Sequence, residues 1–189
     1  MTVANQITLV RILLIPVFVV FAVYYAVSVR EQSPEEWLRW CAVAAFVVAA
    51  GSDAIDGWIA RRFNQRSALG VVLDPIADKG LLVTAIITLS LYPWPVSLPL
   101  WFPVLVISRD IVILVGCGLL KFFTGDVEVR PSMLGKAATA LQMGAVAWVL
   151  LQIPHQQWVV NAAGFFTLLS GIGYIWRGMT TLGGAGQAA

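Results

Sequence analysis

The sequence predicts an all-α integral membrane protein with six transmembrane helices, and three observations carry that expectation. Of 189 residues, 59% are hydrophobic and only 12% charged, against about a quarter charged in a soluble domain. Mean hydropathy is +0.84. Long uncharged runs separate the few charges: 18 residues between Arg11 and Arg30, 29 between Lys79 and Arg109, and 40 between Lys136 and Arg177. About 20 apolar residues cross a bilayer as a helix, so each of the two longer runs has room for two spans. Helices are required because hydrocarbon offers no partner to an open backbone group.

Taken in order, the first helix is expected over 7–29. Its apolar run is too long for a signal-peptide core and lacks a basic leader and a clear small-residue cleavage site, so it reads as a retained span. The second, 35–62, closes on the basic residues Arg61 and Arg62. The third, 68–91, ends where Tyr92-Pro93-Trp94-Pro95 breaks the second uncharged run, and the fourth covers 98–123. The fifth, 132–152, meets the break Pro154-His155-Gln156-Gln157, and the sixth runs 156–177 to Arg177. Gly183-Gly184-Ala185-Gly186 reads as a frayed tail. No hydrophilic block exceeds a loop, so residues 1–189 are expected to form a single membrane domain.

Basic residues set the expected orientation. Arg61, Arg62 and Arg66 follow the second helix, Lys121, Arg130 and Lys136 follow the fourth, and Arg177 ends the sixth. Arg30 and Arg39 on the other side are mixed with Glu31, Glu35 and Glu36. The positive-inside rule then puts both termini in the cytoplasm, the protein being multi-pass in the inner or plasma membrane. Trp37, Trp40, Trp94, Trp101 and Trp158 fall near the outer interface as anchors. Cys41 and Cys117 read as small core residues with no disulfide implied. His155 stands alone in an outer turn. A net charge of +2, with no basic stretch interleaved with stacking aromatics, gives no reason to expect nucleic acid.

Against this background the stretch 52–80 stands out, because it holds four of only ten acidic residues. Asp53 and Asp56 are spaced i, i+3 and share a helix face; Asp74 and Asp78, spaced i, i+4, share another. With a turn near Phe63 to Ser67, the two helices form a hairpin. At 1.5 Å per residue both pairs then sit roughly 10–15 Å from the turn, facing one another at the cytoplasmic edge of the membrane. Such a cluster repels itself and is costly to desolvate unless compensated. Oxygen-only donors suit Mg²⁺, Mn²⁺ or Ca²⁺, and a pair of carboxylate-bridged metals is a common clamp for pyrophosphate. The plain alternative is salt bridging to Arg61, Arg62 or Lys79, three bases for four acids. Gly57 and Ala60 let a bulky group approach the backbone, and Gly70 does likewise across the hairpin, although small residues also serve tight helix packing.

The pattern Asp53-x-x-Asp56-Gly57-x-x-Ala60-Arg61, eight residues, Gly70-x-x-x-Asp74-x-x-x-Asp78 resembles the signature of the CDP-alcohol phosphatidyltransferase family at every fixed position. Asn5-Gln6-Ile7-Thr8-x-x-Arg11 is similar to the family's N-terminal segment, and Ser132-x-x-Gly135-Lys136-x-x-Thr139 to the segment opening its fifth helix. Ala4 departs from the proline that relatives often carry before that asparagine, which bears on helix entry. The resemblance implies a six-helix enzyme of the CDP-alcohol phosphatidyltransferase fold. It would move a phosphatidyl group from CDP-diacylglycerol to an alcohol and release CMP. It implies that Asp53, Asp56, Asp74 and Asp78 hold two Mg²⁺ or Mn²⁺ ions and that Asp78 is the general base. Asp56, Gly57, Ala60, Arg61 and Gly70, with Asn5 and Thr8, would receive CDP-diacylglycerol, Gly57 and Ala60 giving room to the cytidine and Arg61 supporting the phosphates. Relatives are often homodimers, so a homodimer in contact with membrane lipids is expected.

Arg109, Arg130 and Lys136 are the candidates for an acceptor phosphate. Arg109 is a cation inside a span and so a functional suspect, against which stands neutralisation by Asp110. Arg130 and Lys136 equally fit positive-inside residues. The N-terminal, hairpin and 132–139 segments are similar to the family's glycerol 3-phosphate enzymes. Ser108-Arg109-Asp110 is closer to its cardiolipin synthases, whose acceptor is phosphatidylglycerol. The reading adopted is transfer to glycerol 3-phosphate. A divalent-metal transporter is the competing class, but no acidic trail continues through the outer halves of the helices.

Overall fold

The computed structural model describes residues 3–63, 68–124 and 132–185. Among them are six helices and no strand: α1 Val3–Arg30, α2 Glu36–Phe63, α3 Ala68–Leu91, α4 Trp101–Thr124, α5 Met133–Leu150 and α6 Gln156–Ala185. All six expected helices are present. Four, over Thr8–Arg30, Trp101–Gly118, Met133–Leu150 and Gln156–Met179, are long and apolar enough to cross a membrane, and Lys79–Leu91 is a shorter apolar stretch. The exposed surface fits a lipid solvent: Leu13, Tyr24, Leu114, Trp158, Ile172 and Trp176 are open large apolar side chains, a pattern that water penalises and hydrocarbon does not. The chain is a membrane protein.

Two compact units divide the chain, Met1–Leu98 with Val146–Pro154, and Pro99–Ala145 with His155–Ala189. In the first, α1 packs on α2 and α3, and α2 also touches α3. Small residues make this close approach: Ala22 and Ala26 of α1, Ala42, Ala45 and Ala49 of α2, and Ala77 and Ala85 of α3 are buried, as helices associating in lipid favour. Phe18 meets Phe46 with ring centroids 5.9 Å apart. A Cβ at Gly80 would stand 3.4 Å from Ile15 Cδ1, so α3 lies in van der Waals contact with α1 there.

Tyr25 ties the end of α1 to its neighbours. Its hydroxyl donates to Glu36 Oε1 at 3.3 Å and accepts from Gln152 Nε2 at 2.6 Å. Its ring lies 4.7 Å from that of Trp94. The two helix ends that feed this hub close in the same way. Gln32 and Gln152 have φ of 57° and 55°. Gln32 N–H donates to Val29 O and Ser33 N–H to Ser28 O, while Gln152 N–H donates to Val149 O and Ile153 N–H to Trp148 O. This is the Schellman closure, with glutamine at the left-handed position that glycine usually fills.

In the second unit α4 packs on α6. Phe102, Val106, Ala138, Ala145, Val160 and Ala163 are buried. Trp101 seats on Gly164, where a Cβ would fall 2.8 Å from two ring carbons. Gly164→Ala should therefore lower stability by about 1–3 kcal/mol through overpacking against a rigid ring, read as an earlier thermal unfolding transition in detergent.

Several expectations need correction. α6 continues to Ala185 rather than ending at Arg177, so Gly183, Gly184 and Ala185 are helical and not a frayed tail, while Gly186 lies outside the described residues. The expected end was set by the charge of Arg177, which closes the uncharged run, whereas a hydrogen-bonded backbone can continue past a charge where no proline stops it. α1 likewise starts at Val3. α4 begins at Trp101, because Pro99 supplies the carbonyl that accepts Phe102 N–H at 2.9 Å and the chain from Tyr92 to Leu100 is irregular. Trp94 is 5% exposed, not an interfacial anchor: Leu98 N–H donates to Leu89 O at 3.0 Å, folding the segment back so that the indole packs on Tyr25. Cys41 and Cys117 are half-buried rather than core residues.

Candidate functional site

Each signature residue can be placed on its element. Asp53, Asp56, Gly57, Ala60 and Arg61 lie in the C-terminal part of α2, and Gly70, Asp74 and Asp78 in the N-terminal part of α3. Both helices belong to the first unit and touch one another. Asp53 precedes Asp56 by just under one turn, and Asp74 precedes Asp78 by just over one, so each pair keeps the shared face that its spacing requires. These side chains lie outside the described residues, as does that of Asn5. Among the described residues no group of three or more potential metal ligands is assembled. Thr8 and Arg11 of α1 are buried at 0% and 1% exposure. A fully buried arginine in a membrane helix is costly and marks a functional or structural polar contact.

Of the acceptor candidates, Arg130 lies outside the described residues, Lys136 is exposed in the first turn of α5, and Arg109 lies in α4 of the second unit with its side chain 9% exposed. Arg109 Nη1 donates to Asp110 Oδ1 at 2.8 Å, so the neutralising contact weighed from sequence is present. It is not the whole environment. Nη2 donates to Ser170 Oγ of α6 at 2.6 Å, the guanidinium carbon stands 5.8 Å from the Tyr174 ring centroid, and Nε is buried with no hydrogen-bond partner among the described residues.

The first turn of α5 lies beside this arginine. A Cβ at Gly135 would be 3.1 Å from Arg109 Nη2 and 3.2 Å from Ser132 Oγ. Ser132 caps the helix, its hydroxyl accepting Gly135 N–H at 3.0 Å and its carbonyl accepting Lys136 N–H at 3.2 Å. A capped helix N-terminus next to a guanidinium is a positive environment suited to an anion. About two turns further along α5, Gln142 Nε2 donates to Thr167 Oγ1 at 2.7 Å, which itself donates to Ala163 O at 2.6 Å. The structure thus brings Arg109 to the α5 turn that carries Lys136. Ser170 and Tyr174 escaped the sequence reading, and Gly135 entered it only through the 132–139 segment and not as a neighbour of Arg109, since no local spacing ties any of them to that residue, 61 residues away in the case of Ser170.

An open groove of about 820 Å³ between α4 and α6 is lined by Trp101, Val104, Leu105, Phe165 and Leu168, with Ser108 and Asn161 as its polar members. Its apolar walls face the hydrocarbon side of two spans and offer no cationic or acidic group for chemistry.

The sequence profile of the CDP-alcohol phosphatidyltransferase family matches residues 1–169. The protein named "CDP-diacylglycerol--glycerol-3-phosphate 3-phosphatidyltransferase" in Escherichia coli (strain K12) is 37% identical over 149 residues, covering 76% of this chain and 73% of that relative. The proteins of the same name in Shigella sonnei (strain Ss046) and Shigella boydii serotype 4 (strain Sb227) show the same identity and coverage. With a profile match over most of its length and these relatives, the chain belongs to the CDP-alcohol phosphatidyltransferase family.

Proposed function

We propose that this protein transfers a phosphatidyl group from CDP-diacylglycerol to a hydroxyl of glycerol 3-phosphate, giving phosphatidylglycerophosphate and CMP in phospholipid synthesis. The observation that carries the choice of acceptor is the 37% identity over 149 residues to proteins named for that reaction. The Asp53 to Asp78 pattern supports the transfer chemistry.

The donor set of Asp53, Asp56, Asp74 and Asp78 consists of carboxylate oxygens alone, which fits two Mg²⁺ or Mn²⁺ ions rather than zinc. When bound, such ions neutralise the pyrophosphate and the charge growing on the departing CMP. Asp78 takes the proton from the acceptor hydroxyl. That oxygen then bonds to the phosphorus bearing the diacylglycerol, and the bond from this phosphorus to the CMP oxygen breaks. Arg61 supports the phosphates, Gly57 and Ala60 leave room for the cytidine, and Gly70, Asn5 and Thr8 complete the CDP-diacylglycerol side. Arg109, Arg130 and Lys136 hold the acceptor phosphate; the burial of Arg109 beside the capped turn that carries Lys136 supports this assignment.

The reading extends to the membrane arrangement. All six helices span the bilayer as one catalytic domain, α2 and α3 included, since at 28 and 24 residues both exceed the roughly 20 needed. The active site faces the cytoplasm, a reading that the distribution of Arg and Lys supports, and the protein works as a homodimer.

The test is CMP release by the purified protein in detergent with CDP-diacylglycerol and Mg²⁺ or Mn²⁺, offering glycerol 3-phosphate, phosphatidylglycerol, inositol phosphate and serine separately. Release with glycerol 3-phosphate alone is expected. Release with phosphatidylglycerol alone would instead make the protein a cardiolipin synthase. Silence with every acceptor and with either metal would return the acidic cluster to metal transport.

A further inference from the structure

An arginine that recognises a phosphate needs a fixed direction as well as a charge, because its long side chain otherwise spreads over many rotamers. Asp110, the neighbour of Arg109 on α4, cannot fix that direction relative to other elements, since it moves with the same helix. The hydrogen bond that ties the guanidinium to another helix is the 2.6 Å bond from Nη2 to Ser170 Oγ on α6, and the Tyr174 ring of the same helix, 5.8 Å away, gives the guanidinium a face to rest near but no directed bond. Ser170 is 1% exposed, so water does not compete for this bond. Its hydroxyl is neutral and therefore orients the guanidinium without cancelling its charge.

Gly135 supplies the matching space. The Cβ of any other residue there would stand 3.1 Å from Nη2, closer than the guanidinium tolerates without shifting. Gly171 allows the stem to lie close as well, a Cβ there falling 3.5 Å from Arg109 Cγ. The guanidinium is thus held against the first turn of α5 by one hydroxyl and one missing side chain.

We propose that Ser170 is a positioning residue for Arg109, and that Gly135 keeps open the space into which Ser170 directs the guanidinium, so that α5 and α6 together set affinity for the acceptor's phosphate. This rests on the reading of Arg109 as an acceptor-phosphate ligand. It assigns no contact with substrate to Ser170 itself.

The experiment is steady-state CMP release by the full-length protein in detergent with CDP-diacylglycerol and Mg²⁺, varying glycerol 3-phosphate and then CDP-diacylglycerol. Ser170→Ala is expected to raise KM for glycerol 3-phosphate about 10- to 150-fold, the range for losing one hydrogen bond to a charged group. It should leave kcat and KM for CDP-diacylglycerol within about twofold, and Ser170→Thr, which keeps the hydroxyl, should restore most of the loss. Gly135→Ala should raise the same KM selectively, which keeps the inference testable if a Ser170 variant does not fold. Arg109→Lys serves as the reference. If it leaves the acceptor KM unchanged, the phosphate-ligand reading fails and the positioning role with it. If Arg109→Lys raises that KM while Ser170→Ala does not, or if Ser170→Ala raises both KM values and lowers the melting temperature, the positioning role alone is overturned.

Discussion

Asp78→Asn should lower kcat for CMP release by about 10²- to 10⁴-fold, the span associated with a positioned general base. The substitution keeps the shape of the side chain and removes its ability to accept a proton, so the protein should still reach the detergent-solubilised, folded state. Binding of CDP-diacylglycerol should survive in weakened form, because Asp53, Asp56 and Asp74 remain. The measurement is single-turnover CMP release beside equilibrium binding of CDP-diacylglycerol. A kcat that falls with modest change in the binding of CDP-diacylglycerol places the loss in the chemical step. A variant that keeps the wild-type rate removes Asp78 from the base role and leaves Asp53, Asp56 and Asp74 to be tested in turn. One that loses CDP-diacylglycerol binding altogether would move Asp78 from proton transfer to substrate capture.

How much of this was legible in the sequence depends on the range of the forces involved. Helix count follows from the solvent: hydrocarbon forces every backbone group into a helix, so uncharged run lengths translate into elements, and α2, α3, α4 and α5 begin or end close to where the charges and prolines predict. The family match at residues 1–169 agrees with the resemblance read from Asp53 to Asp78, where spacing on two consecutive helices is local information. Helix ends beyond the lipid were not legible. α6 reaches Ala185 because no proline in Gly178 to Ala185 stops hydrogen bonding along the backbone, although the apolar stretch that marks the span ends at Met179. Trp94 was misplaced for a related reason. Composition assigns a tryptophan next to prolines to the interface, and only the Leu98 to Leu89 hydrogen bond turns it inward onto Tyr25. The partners of Arg109 are the least legible feature. Asp110 is adjacent in sequence, but Ser170 and Gly135 reach the guanidinium only through the packing of α4, α5 and α6, and a serine in an apolar helix gives no local sign of its partner.

Removal of divalent cations with EDTA should abolish CMP release, to below about a thousandth of the full rate, on the reading that the metal both neutralises the pyrophosphate and stabilises the leaving group. Mg²⁺ or Mn²⁺ should restore activity and Zn²⁺ should not. The distinction follows from donor chemistry: four carboxylates present only hard oxygen, while zinc sites draw on imidazole and thiolate. The protein's one histidine is His155, in the turn before α6, and Cys41 and Cys117 lie in α2 and α4, none of them within the 53–78 stretch. Asp53→Asn, Asp56→Asn and Asp74→Asn should each raise the Mg²⁺ concentration for half-maximal rate by on the order of tenfold or more, since each removes a charge from the ligand set. Ser170→Ala should leave that concentration unchanged, because its proposed action is on the acceptor phosphate through Arg109. Full activity in EDTA, or equal activity with Zn²⁺, would overturn the oxygen-only metal site. A normal Mg²⁺ requirement in all three aspartate variants would assign those carboxylates to ion pairs with Arg61, Arg62 or Lys79 instead.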